Sequence, residues 1–210
     1  MLKSSPFIAL GALAATTLLA SAAQAQEVEI ENAVARVVVI PEDRADIQVT
    51  VDQGSSGLPA LQVRRRGNDV HIEGGLRRRI QNCRSETFVA DPTQMPTGVR
   101  VTVRDHGTVE MAESPLIVIR APMDVRIDTD GAVWGAIGRS NSAELDAGGC
   151  GDWSVANTQS DLSIAIGGSG EVHAGTARNL DVAIGGSGDV AVASIDGTAD
   201  IAIGGSGGVR

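Results

Sequence analysis

The chain has 210 residues, of which 42% are hydrophobic and 20% are charged, and its formal net charge at pH 7 is −9. This length allows one domain with a sizeable core, and the excess of acids argues against nucleic acid as a general partner, because phosphate binding needs positive charge. Aromatic residues make up only 2% of the chain, which favours a narrow aliphatic interior such as that of a solenoid.

Residues 1–25 have the features of a secretory signal peptide. Lys3 gives a basic start, an apolar run covers residues 7–20, and Ala23-Gln24-Ala25 has the small-x-small form of a cleavage site. The apolar run is too short for a good membrane span, and Gln26 rather than a cysteine follows the predicted cut. We therefore expect an exported protein, periplasmic or at the cell surface, with no transmembrane segment after cleavage.

Residues 26–122 predict an N-terminal region of short β-strands at hairpin-like spacing. Apolar and polar residues alternate with the period of a strand that has one buried face, over residues 27–30, 47–51, 70–73 and 99–103. Residues 63–76 predict a hairpin around the turn Gly67-Asn68-Asp69. Two prolines between Cys83 and Gly98 indicate an irregular loop.

Two arginine runs flank this hairpin and form a candidate anion-binding edge. The runs are Arg64, Arg65 and Arg66 before the turn and Arg77, Arg78 and Arg79 after it. If they converge, their guanidinium groups could grip the anionic groups of an envelope polysaccharide in bidentate fashion. The alternative, which we favour because charged edges are common, is that the arginines protect an edge strand from pairing with other chains.

The last part of the chain, residues 123–210, predicts successive turns of a coil of strands. The octapeptide at residues 165–172 returns at residues 183–190 and 202–209, so that Ile166, Ile184 and Ile203 follow one another at steps of 18 and 19 residues. A fixed step of this size is typical of one strand-built turn per repeat. The Gly-Gly-Ser-Gly run in each repeat would turn a corner where positive φ and close backbone approach require glycine.

Equal steps place the buried residues of successive turns in columns. The predicted columns are Ile164/Val182/Ile201, Ile166/Ile184/Ile203 and Val172/Val190/Val209. An earlier turn with Gly148-Gly149-Cys150-Gly151 at its corner would add Leu145, Ala147 and Trp153 to the same three columns.

The repeated Gly-Ser-Gly-Asp/Glu-Val after a short β-branched strand resembles the bacterial family of auto-transporter adhesin head domains, or GIN domains. Residues 168–172 and 186–190 carry the resemblance, and residues 205–209 carry it with the acid missing. The resemblance implies a right-handed parallel β-helix without enzymatic activity, and it brings no ligand or catalytic residue. Spacing alone also allows a left-handed triangular coil, although Arg178 and Asp196 fall where that coil needs apolar residues.

The two cysteines, Cys83 and Cys150, predict a disulfide, because an exported chain folds in an oxidising compartment. The bond would close a loop of roughly 70 residues and stabilise the fold by about 4 kcal/mol in the chain-entropy model. It would clamp the middle region to the first clear turn of the coil. Two cysteines at this separation provide too few ligands for a metal site.

We therefore expect an exported, non-catalytic protein for surface contact, adhesion or envelope scaffolding, with no cofactor and no metal. A polysaccharide-acting enzyme is the first alternative, because four acids lie on early turns where they could stack: Asp128, Asp130, Glu144 and Asp146. Sugar-binding enzymes also use aromatic platforms, and the rings after residue 25 are Phe88, Trp134 and Trp153.

A calcium-binding repeat is the second alternative, with Glu171 and Asp189 as stacked acids at the corners, although the third repeat has Gly208 at that place.

The histidines stand far apart in the sequence and pair with no serine or cysteine motif. Because a lone histidine at an outward strand position is usually solvated, we expect surface positions for His71, His106 and His173.

Only three residues follow the last Gly-Gly-Ser-Gly run, and no polar cap closes the coil there. Either the sequence is a piece of a longer chain, or the open turn pairs with another copy. We expect concentration-dependent self-association through this turn.

Overall fold

The computed structural model describes residues 26–84 and 98–210. The predicted signal peptide lies outside these residues, as does most of the predicted loop between Cys83 and Gly98. The described chain is all-β, as predicted, apart from two 3-10 turns at Arg77–Arg79 and Met111–Glu113. Neither of these short helices could cross a membrane, and the described part of the chain contains no helix with the length and apolarity to do so.

Most strands belong to one mixed sheet of 13 strands. Its N-terminal members are β1 (Glu27–Pro41), β2 (Gln48–Asp52), β3 (Gln62–Arg66), β4 (Asp69–Glu73) and β8 (Leu116–Ala121). Its C-terminal members are β9 (Asp124–Ile137), β10 (Ser142–Ala147), β11 (Trp153–Val155), β12 (Asp161–Ile166), β13 (Glu171–Ala177), β14 (Asn179–Ile184), β15 (Asp189–Ile195) and β16 (Ala199–Ile203). A separate antiparallel sheet contains β5 (Ile80–Arg84), β6 (Arg100–Val103) and β7 (Gly107–Glu110).

Two parallel ladders share the long strand β9. One ladder follows the order β9-β10-β12-β14-β16, and the other follows β9-β11-β13-β15. Ile166 pairs with Ile184, and Ile184 pairs with Ile203, as the repeat predicts. The other two columns are also confirmed, and the earlier turn joins all three at the expected residues, Leu145, Ala147 and Trp153.

Strand β1 pairs in parallel with its neighbours in the large sheet, whereas the sequence predicted hairpin-like strands in this region. One edge of β1 pairs in parallel with β9. Its other edge pairs in parallel with β4 near its start and with β8 near its end. Alternation indicates that β1 is a strand, but partners this distant in the chain leave no local signal. The predicted hairpin of β3 and β4 is confirmed, and β2 pairs antiparallel with β8.

Close backbone approach, and not positive φ, requires glycine in the Gly-Gly-Ser-Gly corners. A Cβ on Gly168 would overlap the carbonyl oxygen of Gly149, and a Cβ on Gly205 would overlap that of Gly186. None of the glycines in the three Gly-Gly-Ser-Gly runs has positive φ, whereas Gly151 in the earlier Gly-Gly-Cys-Gly corner does. The expectation of positive φ was therefore wrong for these three corners. Glycine is required there because the backbone of the preceding turn leaves no room for a side chain.

The described residues form two hydrophobic clusters, and both cysteines of the predicted disulfide pack against the smaller one. The larger cluster contains the stacked aliphatic columns and the buried Trp153. The smaller cluster lies between the β5-β6-β7 sheet and strands β1 and β9, and it includes Trp134. Cys83 on β5 and Cys150 in the β10–β11 corner form the disulfide, with their Cα atoms 6.4 Å apart. The bond therefore clamps the middle region to the first regular turn, as predicted.

Candidate functional site

Three carboxylates and one histidine lie in one row across strands β4, β1, β9 and β10. His71 pairs with Glu29, Glu29 with Asp128, and Asp128 with Asp146. Residues at directly paired positions share a face of the sheet, and so does a residue two positions along a strand, which adds Glu31. We call His71, Glu29, Glu31, Asp128 and Asp146 the acidic row.

The imidazole of His71 lies between two glutamates. Its Nδ1 is 2.8 Å from Glu29 Oε2, and its Nε2 is 3.8 Å from Glu31 Oε2. Only 9% of His71 is exposed, so the prediction of a solvated surface histidine was wrong here. The reason is that β4 lies between β3 and β1, which cover both of its edges. His106 is exposed, as predicted, and His173 is partly buried beside Glu171.

Two carboxylates of the acidic row, Asp128 and Glu31, have raised pKa values because they are partly buried and lie beside other acids. Burial, followed by repulsion from Asp146 and the glutamates of β1, raises the pKa of Asp128 to about 6. Burial and repulsion from Glu29 also raise the pKa of Glu31. Among the described residues no arginine forms a salt bridge with the acidic row, since the neighbouring Arg126 is paired with Glu27 and Glu144.

A second charged feature is a cleft of about 880 Å³ beside the acidic row. Its arginines are Arg77, Arg78, Arg79 and Arg104, and its other lining residues are Glu31, Asn32, Glu73 and Asp130. We call this feature the arginine cleft. All four arginines are exposed, and none of them forms a side-chain hydrogen bond or salt bridge within residues 26–84 and 98–210. Their guanidinium groups are therefore available to an anionic ligand.

The structure gives the two predicted arginine runs different surroundings. Arg77 to Arg79 form the 3-10 turn that lines the arginine cleft, together with Arg104, which the sequence did not single out. Arg64 and Arg66 lie on β3, opposite His71 and Asp69. Arg65 Nη2 donates a hydrogen bond of 2.6 Å to the carbonyl of Ile47. Among the described strands β3 pairs only with β4, so this run lies on an edge strand. An anion-binding role for either run stays a prediction.

The acids of the enzyme alternative separate into three environments. Asp128 and Asp146 lie side by side on one face of the sheet in the acidic row, Asp130 lines the arginine cleft, and Glu144 is 3.0 Å from Arg126. Both tryptophans are buried, with exposed fractions of 5% for Trp134 and 1% for Trp153, and Phe88 lies outside the described residues. The described surface therefore offers no tryptophan platform for a sugar ring.

The corner acids of the calcium alternative already have partners within the fold. Glu171 and Asp189 are neighbours in the ladder, as predicted. Glu171 Oε1 accepts a hydrogen bond of 2.7 Å from Arg210, and Asp189 Oδ1 accepts one of 2.8 Å from the N–H of Gly208. Asp152 accepts the N–H of Glu171 in the same way. These contacts favour a structural role, in which a corner carboxylate caps a backbone N–H of the next turn.

The stacked parallel strands and the disulfide define an all-β scaffold of strand-built turns that is cross-linked to its middle region. The family model described as "Putative auto-transporter adhesin, head GIN domain" matches residues 26–210, and the chain belongs to this family, as the sequence resemblance indicates. The family and the disulfide together point to an exported, non-catalytic surface protein. No curated protein matches the chain.

Proposed function

We propose that this protein is an exported, non-catalytic contact protein of the cell envelope that binds anionic polysaccharide through the arginine cleft. Family membership supports surface contact. The disulfide supports an oxidising compartment, either the periplasm or the cell surface. The choice of an anionic ligand rests on the four arginines that line the arginine cleft.

A right-handed parallel β-helix is the scaffold that we propose for this role. The equal steps and the parallel pairing of β9 to β16 support a coil with one turn per repeat. A left-handed triangular coil would place Arg178 and Asp196 on its apolar six-residue grid, and both residues are exposed. Their exposure favours the right-handed winding.

The lining of the arginine cleft matches the chemistry of a uronate polymer. Guanidinium groups bind carboxylates in a bidentate, charge-assisted manner, and the cleft has four arginines without a side-chain partner among the described residues. Asn32, Glu31, Glu73 and Asp130 provide acceptors for sugar hydroxyls on the same lining. A polymer that alternates carboxylates with hydroxyls would use both sets, whereas a simple polyanion would be repelled by the three acids.

The test is retention of the protein on immobilised polygalacturonate. In one variant Arg77, Arg78 and Arg79 are changed to Gln, and in the matched control Arg64, Arg65 and Arg66 are changed to Gln. Both variants lose three positive charges, so only the position of the charges differs. We expect the first variant to bind at least about tenfold more weakly, since each lost charged hydrogen bond contributes about 1.5–3 kcal/mol. The control should bind as the wild type does. Equal binding by the wild type and both variants would exclude the cleft as the site.

A polysaccharide-acting enzyme is the second candidate, because Asp128 and Asp146 are neighbours on one face of the sheet and the raised pKa of Asp128, about 6, suits a general acid or base. The same polymer separates the two functions. An enzyme would release new chain ends from polygalacturonate and would lose this turnover in the Asp128→Asn and Asp146→Asn variants. A contact protein would bind the polymer without shortening it.

A further inference from the structure

One ring nitrogen of the buried His71 has no hydrogen-bond partner. Nδ1 is held by the carboxylate of Glu29 at 2.8 Å. Nε2 has no hydrogen-bond partner among residues 26–84 and 98–210, and Glu31 Oε2 lies 3.8 Å from it, beyond hydrogen-bond distance. The imidazole is therefore anchored through one nitrogen, and its other nitrogen lies near a carboxylate that forms no salt bridge with an arginine of the described chain.

We propose that His71 Nε2 and Glu31 bind a divalent transition metal ion of the zinc class, and that Glu29 orients the imidazole. Zinc binds histidine nitrogen and carboxylate oxygen at about 2.0–2.2 Å, so one ion fits between two atoms that are 3.8 Å apart. The chosen donor atoms of Glu29, Glu31 and His71 all lie within 4.8 Å of one another. Two protein ligands leave further positions for water or for an outside ligand.

The contact between Glu29 and His71 is the arrangement that supports a metal-binding histidine. A carboxylate that accepts the Nδ1 proton fixes the tautomer and leaves the lone pair on Nε2, where it can bind a cation. Glu29 therefore acts as a positioning residue, and its oxygen can also approach the ion. The imidazole nitrogen selects a zinc-class ion over calcium or magnesium, which prefer oxygen ligands.

The charge around the site supports a cation rather than a simple histidine–carboxylate contact. Asp128 and Asp146 continue the acidic row beyond Glu29, and Glu73 pairs with Glu31 on the other side. Within the described chain no arginine is paired with the acids of this row. Burial, followed by repulsion from Asp146 and the glutamates of β1, raises the pKa of Asp128, and one divalent ion would reduce the repulsion.

The pair of His173 and Glu171 provides an internal comparison. His173 Nε2 is 2.9 Å from Glu171 Oε1, and the same oxygen accepts a hydrogen bond of 2.7 Å from Arg210. The arginine supplies the positive charge that the acidic row lacks, and the short contact leaves no space for an ion between the two atoms. We therefore expect no metal binding at this pair, although its residue types are the same.

The test is calorimetric titration of the tag-free protein with zinc chloride alone near pH 7. We expect about one equivalent to bind to the wild type, at least tenfold weaker binding in His71→Gln and Glu31→Gln, and a loss of about tenfold in Glu29→Gln through the orientation of the imidazole. His173→Gln should bind as the wild type does. Because Glu31 is partly exposed, Glu31→Gln keeps the test valid if His71→Gln fails to fold.

Cobalt(II) gives an independent readout, because bound cobalt has an absorption spectrum that reports nitrogen and oxygen ligands. A spectrum that changes on binding to the wild type and not on mixing with His71→Gln would support the site. The proposal would be overturned by zinc affinity that is equal in the wild type and Glu31→Gln, or by the absence of any saturable binding. Glu31 also lines the arginine cleft, but both titrations are made without polysaccharide, so neither result tests binding at the cleft.

Discussion

The carbonyl oxygen of Gly168 occupies the place where a side chain on Gly186 would begin. The N–H of Ser187 donates a hydrogen bond of 2.9 Å to the same oxygen. The corner of one turn therefore lies directly against the corner of the next. Since Gly149 and Gly168, and Gly186 and Gly205, have the same relationship, the second glycine of each Gly-Gly-Ser-Gly run is required by packing between turns.

The first prediction is that Gly186→Ala destabilises the protein, whereas Gly185→Ala does not. A methyl group at Gly186 would push the two corners apart, and we expect a loss of about 1–3 kcal/mol in the free energy of unfolding, as in other overpacked sites. Gly185 is the matched control, because the nearest atom to its Cβ position is 4.0 Å away, at the carbonyl of Ile166. Urea unfolding measures both variants, and equal stabilities would contradict the close approach.

The repeat predicted the C-terminal ladders residue by residue because its signal is both local and periodic. Alternation shows which residues are buried, and an equal step then places Ile166 over Ile184 without further information. Strand β1 shows the limit of this reasoning. Its alternation predicts a strand, but its partners β4, β8 and β9 lie far along the chain, and no feature of β1 itself identifies them.

The contact between Glu29 and His71 could not be predicted from the sequence for the same reason. Glu29 and His71 are 42 residues apart and meet only because β1 and β4 pair in parallel. The alternation of Glu27, Glu29 and Glu31 is a visible signal of one acidic face, but such a face is usually solvated. The buried histidine changes that interpretation, and its burial follows from the order of the strands.

The second prediction concerns the disulfide between Cys83 and Cys150. The bond closes a sequence separation of 67 residues, so the chain-entropy model predicts that the double variant with serine at both positions loses about 4 kcal/mol in the free energy of unfolding. Urea unfolding of the wild type with and without reductant gives the control, because reductant should lower the wild type to the level of the variant and leave the variant unchanged. An unaltered wild-type midpoint after verified reduction would contradict the prediction.

The third prediction is a stability difference that depends on pH. The pKa of Asp128 in the folded protein is about 6, above the ordinary value of 3.8, so the folded state binds more protons than the unfolded state between these values. This group therefore lowers stability as the pH rises from about 4 to 6. Asp128→Asn removes the effect, so the variant should be more stable than the wild type above pH 6.

The size of this difference is limited by the partial exposure of Asp128. Solvent screening reduces it to the order of 1 kcal/mol, which corresponds to a rise of about 2–4 °C in the melting temperature for a chain of this size. Melting curves at pH 7.5 and pH 4 in metal-free buffer measure it. The advantage of Asp128→Asn should be present at pH 7.5 and nearly absent at pH 4, and an equal difference at both values would contradict the assigned cause.

The fourth prediction is self-association through β16. This strand pairs with β14 on one edge, and no other strand of the described chain pairs with its second edge. Two of its isoleucines continue the buried columns and are nevertheless exposed, by 50% for Ile201 and 45% for Ile203. A second copy of β16, placed antiparallel and centred on Ile201, would put Asp200 opposite Ala202 and bring no like charges together. Both exposed edges would then be covered by one symmetric contact.

Sedimentation velocity over a wide concentration range tests this contact. We expect the wild type to shift from monomer towards dimer as the concentration rises, and Ile201→Lys to remain monomeric, because a charge on the strand centre would be buried without a partner. Val63→Lys is the matched control, since Val63 is a comparably exposed apolar residue, at 44%, on the distant edge strand β3. A wild type that is monomeric at every concentration, or a dimer that Ile201→Lys leaves intact, would contradict pairing at β16, because each result removes the strand edge as the surface that a second copy covers.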